Sequence, residues 1–198
     1  MIAIYAMKKI MFDDKYGLTK AVLEGRKTMT RRLPNKAWRD IMPGLAGEDL
    51  SHASTPFKVG DVVAVAQNYR DAGLDPKNCD KFQLVTYGDF PSRYNHGWAN
   101  KMFVLADLMP HQIRITNVRV ERLQDISDEE CLKEGISKSS APGQYYVDGL
   151  QRPMHNDGVL RSFTSPRDAF AELIDRLSGK GTWESNPWVF VYEFELVK

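Results

Sequence analysis

The sequence predicts an α+β fold built on a mainly antiparallel sheet or small β-barrel, with flanking helices and loop insertions. Three observations lead there. Stretches with strand character outnumber helix signals, strands and helices do not alternate in βαβ order, and the run QIRITNVRVERLQDI from residue 112 interleaves apolar and polar side chains over its whole length.

The elements follow in chain order. IAIYAM (2–7) reads as a first strand, and GLTKAVLEG then sets Leu18, Val22 and Leu23 on one helical stripe that Gly25 ends. TMTRRL is rich in strand-compatible residues, and Pro34 limits it. Residues 35–56 carry Pro43, Gly44, Gly47 and SHASTP, which predict a loop-rich insertion. A turn at FKVGD feeds a strand from Val62 to Val65, KFQLVTYGDF (81–90) reads as a strand, and MFVLADLM (102–109) as another.

In the 112–126 run the apolar positions are Ile113, Ile115, Val118, Val120 and Leu123, so the alternation slips by one at Thr116 and Asn117, which predicts a bulge or tight turn in one long strand. ISDEECLKEGI then has the form of a capping box, with Ser127 as cap, Glu130 three residues on and Gly135 as the stop. Residues 137–164 read as a polar insertion shaped like a lid. SPRDAFAELIDRLSG is a second helix, with Pro166 in its first turn, Phe170, Leu173 and Leu177 on one face and Gly179 at its end. NPWVFVYEFELVK closes the chain as a strand with Trp188, Phe190, Tyr192 and Phe194 on one face. One domain over 1–198 is expected, with insertions at about 35–56, 67–100 and 137–164.

Composition bounds the function. Lys plus Arg number 27 against 26 Asp plus Glu, so any affinity for nucleic acid must come from a local patch. Two cysteines, Cys79 and Cys131, lie far apart and give neither a disulfide framework nor a metal-ligand spacing, which fits a reducing cytoplasm. The opening residues lack the apolar core and cleavage site of a signal peptide, and no run approaches about 18 apolar residues, so no export and no membrane partner are expected. There is no GK[ST] phosphate loop, GxGxxG turn or GxSxG elbow, and His52, His96, His111 and His155 sit apart without HxH or HExxH spacing. No metal or cofactor is implied.

Two features invite chemistry. LEGRKTMTRRL places Lys27 and Thr30 just beyond a helix exit, where a partly desolvated amine beside a hydroxyl suits nucleophilic catalysis, while Arg26, Arg31 and Arg32 would hold the amine neutral or else contact phosphate. Glu134 ends the 127–134 helix against the macrodipole, an unfavourable place for a carboxylate.

Four blocks, AVLEGRKTMTRRL, FKVGDVVAV, ITNVRVERLQDISDEECLKEGI and WESNPWVFVYEFEL, resemble in this order the ASCH domain family of the PUA-like superfamily. They cover roughly residues 1–33, 57–66, 112–136 and 165–198. The chain departs from larger phage-type relatives at VAVAQNYRD, where those carry a WVRETW pattern. The resemblance implies a PUA-like barrel and a metal-independent amidohydrolase that removes acyl groups from N(4)-acetylcytidine and related N(4)-acylated cytosines. It implies that Lys27, Thr30 and Glu134 are catalytic, and the mechanism that follows has Lys27 as base, Thr30 as nucleophile and Glu134 as acid. For such a substrate Arg26 would meet the oxyanion or a phosphate, Gln67, Asn68 and Tyr69 after the Val62–Val65 strand are candidate contacts to the nucleobase, and Trp183, Asn186 and Trp188 are further mouth residues. Direct activation of water, with Thr30 only orienting the carbonyl, is the rival chemistry. The alternative function is an RNA-binding module without catalysis.

Overall fold

The computed structural model describes residues 7–48, 50, 55–74, 97–151 and 160–197. It is a mixed α+β structure, and the chain divides into two compact units: Met1–Phe12, Val62–Arg114 and Leu196–Lys198 form one, Asp13–Asp61 and Ile115–Glu195 the other.

In the first unit, β1 (Lys9–Ile10) pairs in parallel with β3 (Val62–Val65), and β3 pairs antiparallel with the first residues of β4 (Gln112–Arg122), Val63 facing Ile113. Having a neighbour on each side, β3 is buried from Val63 onward instead of alternating. The expected strand at 102–109 is instead two 3-10 turns, Lys101–Phe103 and Ala106–Leu108. The reason is visible in its backbone partners. Lys9 Nζ donates to the carbonyls of Met102 (2.6 Å) and Val104 (2.8 Å), and Val104, Leu108 and Met109 pack with Ala64, Ala66 and Tyr69 at a spacing that is not period two. The strand expected at 81–90, and that at 2–7 apart from Met7, fall outside the described residues.

In the second unit, β2 (Met29–Arg32) runs antiparallel to β8 (Trp188–Leu196), with Met29 opposite Glu193, Thr30 opposite Tyr192, Arg31 opposite Val191 and Arg32 opposite Phe190. On its other side β8 neighbours β4. Val189, Phe190, Val191 and Tyr192 are therefore all buried, where the sequence predicted a single aromatic face. Along β4 the burial follows Ile113, Ile115, Val118 and Val120, and exposed Thr116 and Asn117 mark the slip inside one continuous strand.

The segment 137–164 is not a plain polar insertion. It forms a three-stranded antiparallel sheet, β5 (Ser137–Lys138), β6 (Tyr145–Gln151) and β7 (Leu160–Phe163), with Val147, Leu150 and Phe163 buried. Asp148 and Gly149 interrupt its apolar alternation, which is why it read as a loop. Part of the 35–56 insertion is also ordered, as the short helix α2 (Lys36–Arg39) and a 3-10 turn at Met42–Leu45. Among the described residues β2 pairs on one side only and the strands do not close into a barrel.

Three helices match their signals closely, α1 (Leu18–Leu23), α3 (Asp128–Lys133) and α4 (Pro166–Ser178), and a further short helix, α5 (Thr182–Ser185), was not foreseen. Ser165 caps α4 by accepting from Asp168 N at 3.0 Å, and the helix packs on α3 and on the three-stranded sheet through Ala169, Phe170, Leu173 and Ile174. Leu177, expected on that face, is exposed; Ile174 occupies its place one turn earlier. No helix among the described residues is long and apolar enough to cross a membrane.

Gly149 has φ 71°, and a Cβ built there would lie 1.8 Å from the Lys15 carbonyl oxygen. At Gly143, with φ 69°, it would meet nothing within 4 Å. Gly143→Ala should therefore cost only the roughly 1–2 kcal/mol of a left-handed alanine. Gly149→Ala should add about 1–3 kcal/mol of steric conflict to that figure. Urea unfolding of the two variants checks the difference, and equal midpoints would contradict it.

Candidate functional site

Two helix ends meet at Lys27. After α1 the chain reverses at Gly25 (φ 71°), and Arg26 N and Lys27 N both donate to the Ala21 carbonyl at 2.9 Å, which turns Lys27 inward. Thr28 N then donates to the carbonyl of Lys133, the last residue of α3, at 2.9 Å. Lys27 is 2% exposed. Its Nζ donates to the Glu134 backbone oxygen at 2.7 Å and to Glu134 Oε2 at 2.6 Å.

These contacts resolve the anomaly of a glutamate at a helix C-terminus. Glu134 is the C-cap of α3, and the ammonium satisfies its carbonyl, places positive charge at the negative end of the dipole and neutralises the carboxylate. Gly135 follows with φ 104°, a conformation that favours glycine, and a Cβ there would press within 3.2 Å of Leu18 Cδ2.

The other Glu134 oxygen belongs to Arg31, whose Nη1 donates to Oε1 at 3.3 Å. The Arg31 side chain is fully buried and spans three carboxylates: besides Glu134, Nη2 donates to Glu130 Oε2 at 2.8 Å and to Glu121, and Nε to Glu121 Oε1 at 3.0 Å. Arg119 extends the network through Glu121 Oε2 (2.9 Å), Glu130 and Glu193. Glu130 also completes the capping box, accepting from Ser127 N at 3.1 Å while Ser127 Oγ accepts from Glu130 N at 3.2 Å.

Burial is the largest influence on Lys27 and pushes its amine below the ordinary lysine value. Glu134 opposes that shift, and Arg32 and Arg31 reinforce it. Burial alone would raise the Glu130 carboxyl, but the Ser127 amide, Arg31 and Arg119 together hold it below the usual range. Cys131, buried in α3, is pushed up to about 12 chiefly by burial, which leaves it an inert thiol.

Of the residues singled out in the sequence, Lys27 and Glu134 are in direct contact. Thr30 is buried opposite Tyr192 and, by strand alternation, lies on the β2 face that Arg32 shares and Arg31 does not. Arg32 interacts electrostatically with both Lys27 and Glu134, so the pair lies within reach of charges from both faces of β2. Arg26 turns outward, bonded to Glu24 Oε2 at 2.8–2.9 Å and to Ser137 Oγ at 3.2 Å. It lines a surface pocket of about 500 Å³ with Lys20, Lys138 and Asp148.

Gln67, Asn68 and Tyr69 belong to the first unit and are engaged there. Gln67 Oε1 accepts from His111 Nδ1 at 2.8 Å, and Asn68 Nδ2 donates to Asp71 Oδ2 at 2.8 Å. Tyr69 Oη accepts from Leu105 N at 3.0 Å inside the apolar cluster. His52, His96 and His155 lie outside the described residues.

Sequence reasoning treated Arg31 as secondary and passed over Glu121, Arg119 and Glu193. On β4, Arg119 and Glu121 alternate with Val118 and Val120 and so read as a solvated face; opposite charge at Glu193 on the closing strand was the available hint. No family model matches the chain, and no curated protein or solved structure matches it.

Replacing Arg31 by alanine leaves three carboxylates facing one another and should cost about 3–5 kcal/mol. Arg31→Lys should recover little of it, because an ammonium cannot bridge three carboxylates. Chemical denaturation of both variants tests this. A second outcome concerns acid. Glu130 titrates lower folded than unfolded, so its contribution is present above the unfolded value, 4.5, and is lost as pH falls through the depressed folded value. The melting temperature of Glu130→Gln should therefore fall less steeply below pH 5 than that of the parent.

Proposed function

We propose that the chain is an ASCH-like, metal-independent amidohydrolase that releases the acyl group from N(4)-acylated cytidine or cytosine. The observation that carries this reading is the Lys27 amine, 2% exposed and 2.6 Å from a Glu134 carboxylate whose other oxygen is held by Arg31. A likeness to the PUA-like barrel and a cytoplasmic setting belong to the same proposal; they rest on the four sequence blocks and the sparse cysteines.

The pair holds one transferable proton. Moved from the amine to the carboxylate, it yields a neutral base and an acid with no change in net charge, a tautomer that desolvation of Lys27 favours. The Thr30 hydroxyl then attacks the acyl carbonyl and gives its proton to Lys27. Collapse of the tetrahedral adduct breaks the C–N bond as Glu134 protonates the exocyclic nitrogen, leaving an acyl-threonine ester. Water attacks the ester, Glu134 takes its proton, and Lys27 returns a proton to the departing Thr30 oxygen. Arg31, by holding one Glu134 oxygen, orients the other toward Lys27.

Phosphate gripping through the GRKTMTRRL segment is the weaker reading, because Lys27 and Arg31 are already committed to carboxylates.

Purified protein incubated with N(4)-acetylcytidine should yield cytidine and acetate, and Lys27→Ala or Glu134→Gln should lower kcat about 10²–10⁴-fold. Thr30→Ser should retain activity and Thr30→Val abolish it; activity in the Thr30→Val variant would make water the nucleophile. Failure to turn over any of several N(4)-acyl cytidines would reject the proposal. In the pH profile of kcat/KM, the alkaline limb marks loss of the pair's last proton from Lys27. It should fall below 10.5, since the folded amine is depressed from that value.

A further inference from the structure

At the far end of β2 from Lys27, a groove of about 370 Å³ opens between the segment after the strand and the turn that enters β8. Its size lies within the range of small-molecule sites, roughly 300–1,000 Å³. The walls divide by chemistry. Leu33, Pro34, Pro187 and Trp188 supply an apolar side, and Arg39 and Arg122 supply charge. No carboxylate lines it among the described residues.

The two guanidiniums differ from the others near them. Arg31, Arg119 and Arg26 are each paired with glutamates, whereas neither Arg39 nor Arg122 meets a carboxylate among the described residues. Arg122 is nonetheless fixed in place. Its guanidinium lies over the Trp188 ring, 4.4 Å from the centroid, and Nη1 donates to the Asn186 carbonyl at 3.1 Å.

Asn186 is the one non-glycine residue with positive φ among the described residues, at φ 42° and ψ 56°. Its side chain locks that conformation by accepting from Gln124 N at 2.8 Å. A left-handed asparagine is ordinary at a helix C-cap, and here its carbonyl and side chain hold Arg122 and Gln124 in place beside the groove. The Thr182 and Ser185 hydroxyls donate back to the carbonyls of Gly179 and Thr182, so they offer the groove acceptor lone pairs and the arginines supply its donors.

We propose that this groove binds a nucleoside monophosphate unit, the phosphate on Arg39 and Arg122 and the base against Leu33, Pro34 and the part of Trp188 that lines the groove beyond the stacked Arg122. An apolar wall of Leu33, Pro34, Pro187 and Trp188 beside two arginines that meet no carboxylate among the described residues matches a ligand that joins a ring to a phosphate. A carboxylate or inorganic phosphate would use only the charged wall, and an unphosphorylated nucleoside only the apolar one. The unit is either a free nucleotide or part of a single strand. The site is separate from the Lys27 chemistry and stands whether or not the chain hydrolyses an acylated base.

Isothermal titration of the full chain with cytidine 5′-monophosphate, cytidine, inorganic phosphate and a single-stranded RNA hexamer tests it. The monophosphate should bind at least tenfold more tightly than cytidine or phosphate, and added salt should weaken it. Arg39→Ala, a change at an exposed residue, and Arg122→Ala should each reduce that affinity about tenfold or more, Trp188→Leu should reduce it as well, and Lys27→Ala should leave it unchanged. An affinity for the hexamer above that of the monophosphate identifies a strand as the source, and an equal or lower one a free nucleotide. No binding of either phosphorylated probe up to millimolar concentration, or binding indifferent to both arginine replacements, would overturn the proposal.

Discussion

Everything in the second unit is arranged around charges that water does not reach. Arg31 is wholly buried with carboxylates from β4 and α3 around it, and Lys27 is nearly so against Glu134. Each of those ions loses several kcal/mol of hydration on entering the interior, and the attraction between them recovers the loss only when geometry and hydrogen bonding are nearly complete. The network approaches that condition by spreading Lys27, Arg31 and Arg119 among Glu121, Glu130, Glu134 and Glu193, with Arg31 and Arg119 each bridging three carboxylates. Such a set favours one arrangement of strands over another more than it favours folding itself. Register between β2 and β8 cannot slip by a residue without carrying Arg31 to the other face, away from all three of its carboxylates.

The same constraint underlies the chemistry proposed for Lys27. A lysine in water holds its proton too firmly to act as a base near neutral pH, and a lysine buried alone would simply be neutral. Lys27 stands between these limits, because burial lowers its amine while Glu134 restrains the shift. The helix end sharpens this position. The Glu134 carbonyl needs a donor, and Lys27 supplies it while its charge offsets the dipole, so the amine is held at 2.6–2.7 Å from two oxygens of one residue. Passing the proton from Lys27 to Glu134 would remove both charges at once and leave the amine still able to donate to the Glu134 carbonyl, whereas losing it to solvent would leave the carboxylate charged at the negative end of the helix. In the proposed chemistry, that makes transfer within the pair less costly than loss of the proton to solvent.

How much of this was legible depended on whether the cause was local. The α3 capping box, the proline and serine start of α4, the Val62–Val65 strand and the slip in β4 are written in a few adjacent residues, and each appears where the pattern placed it. Lys27 and Glu134 were legible as oddities, a lysine past a helix exit and a glutamate at a helix end, although their contact spans 107 positions. The 102–109 and 137–164 segments were misread because their conformation is decided from outside. Lys9 takes the carbonyls of the first, and β6 finds partners on both sides in the second despite its central glycine. Arg31 was undervalued for the same reason, since nothing beside it in the chain announces three carboxylates arriving from β4 and α3.

Composition made LEGRKTMTRRL look like a single basic patch, and the structure disperses it. Arg26 points outward to Glu24 and Ser137, Lys27 inward to Glu134, and Arg31 and Arg32 to opposite faces of a four-residue strand. A patch that binds phosphate must present its charges together and uncompensated, so proximity in sequence argues against it here as soon as the backbone alternates. Arg39 and Arg122, 83 positions apart, satisfy that requirement better than four cations in one short stretch, because the fold brings them to one groove and leaves both without a carboxylate among the described residues. In a chain of nearly balanced charge, the cations that remain uncompensated, not the density of cations in the sequence, indicate where an anion can bind.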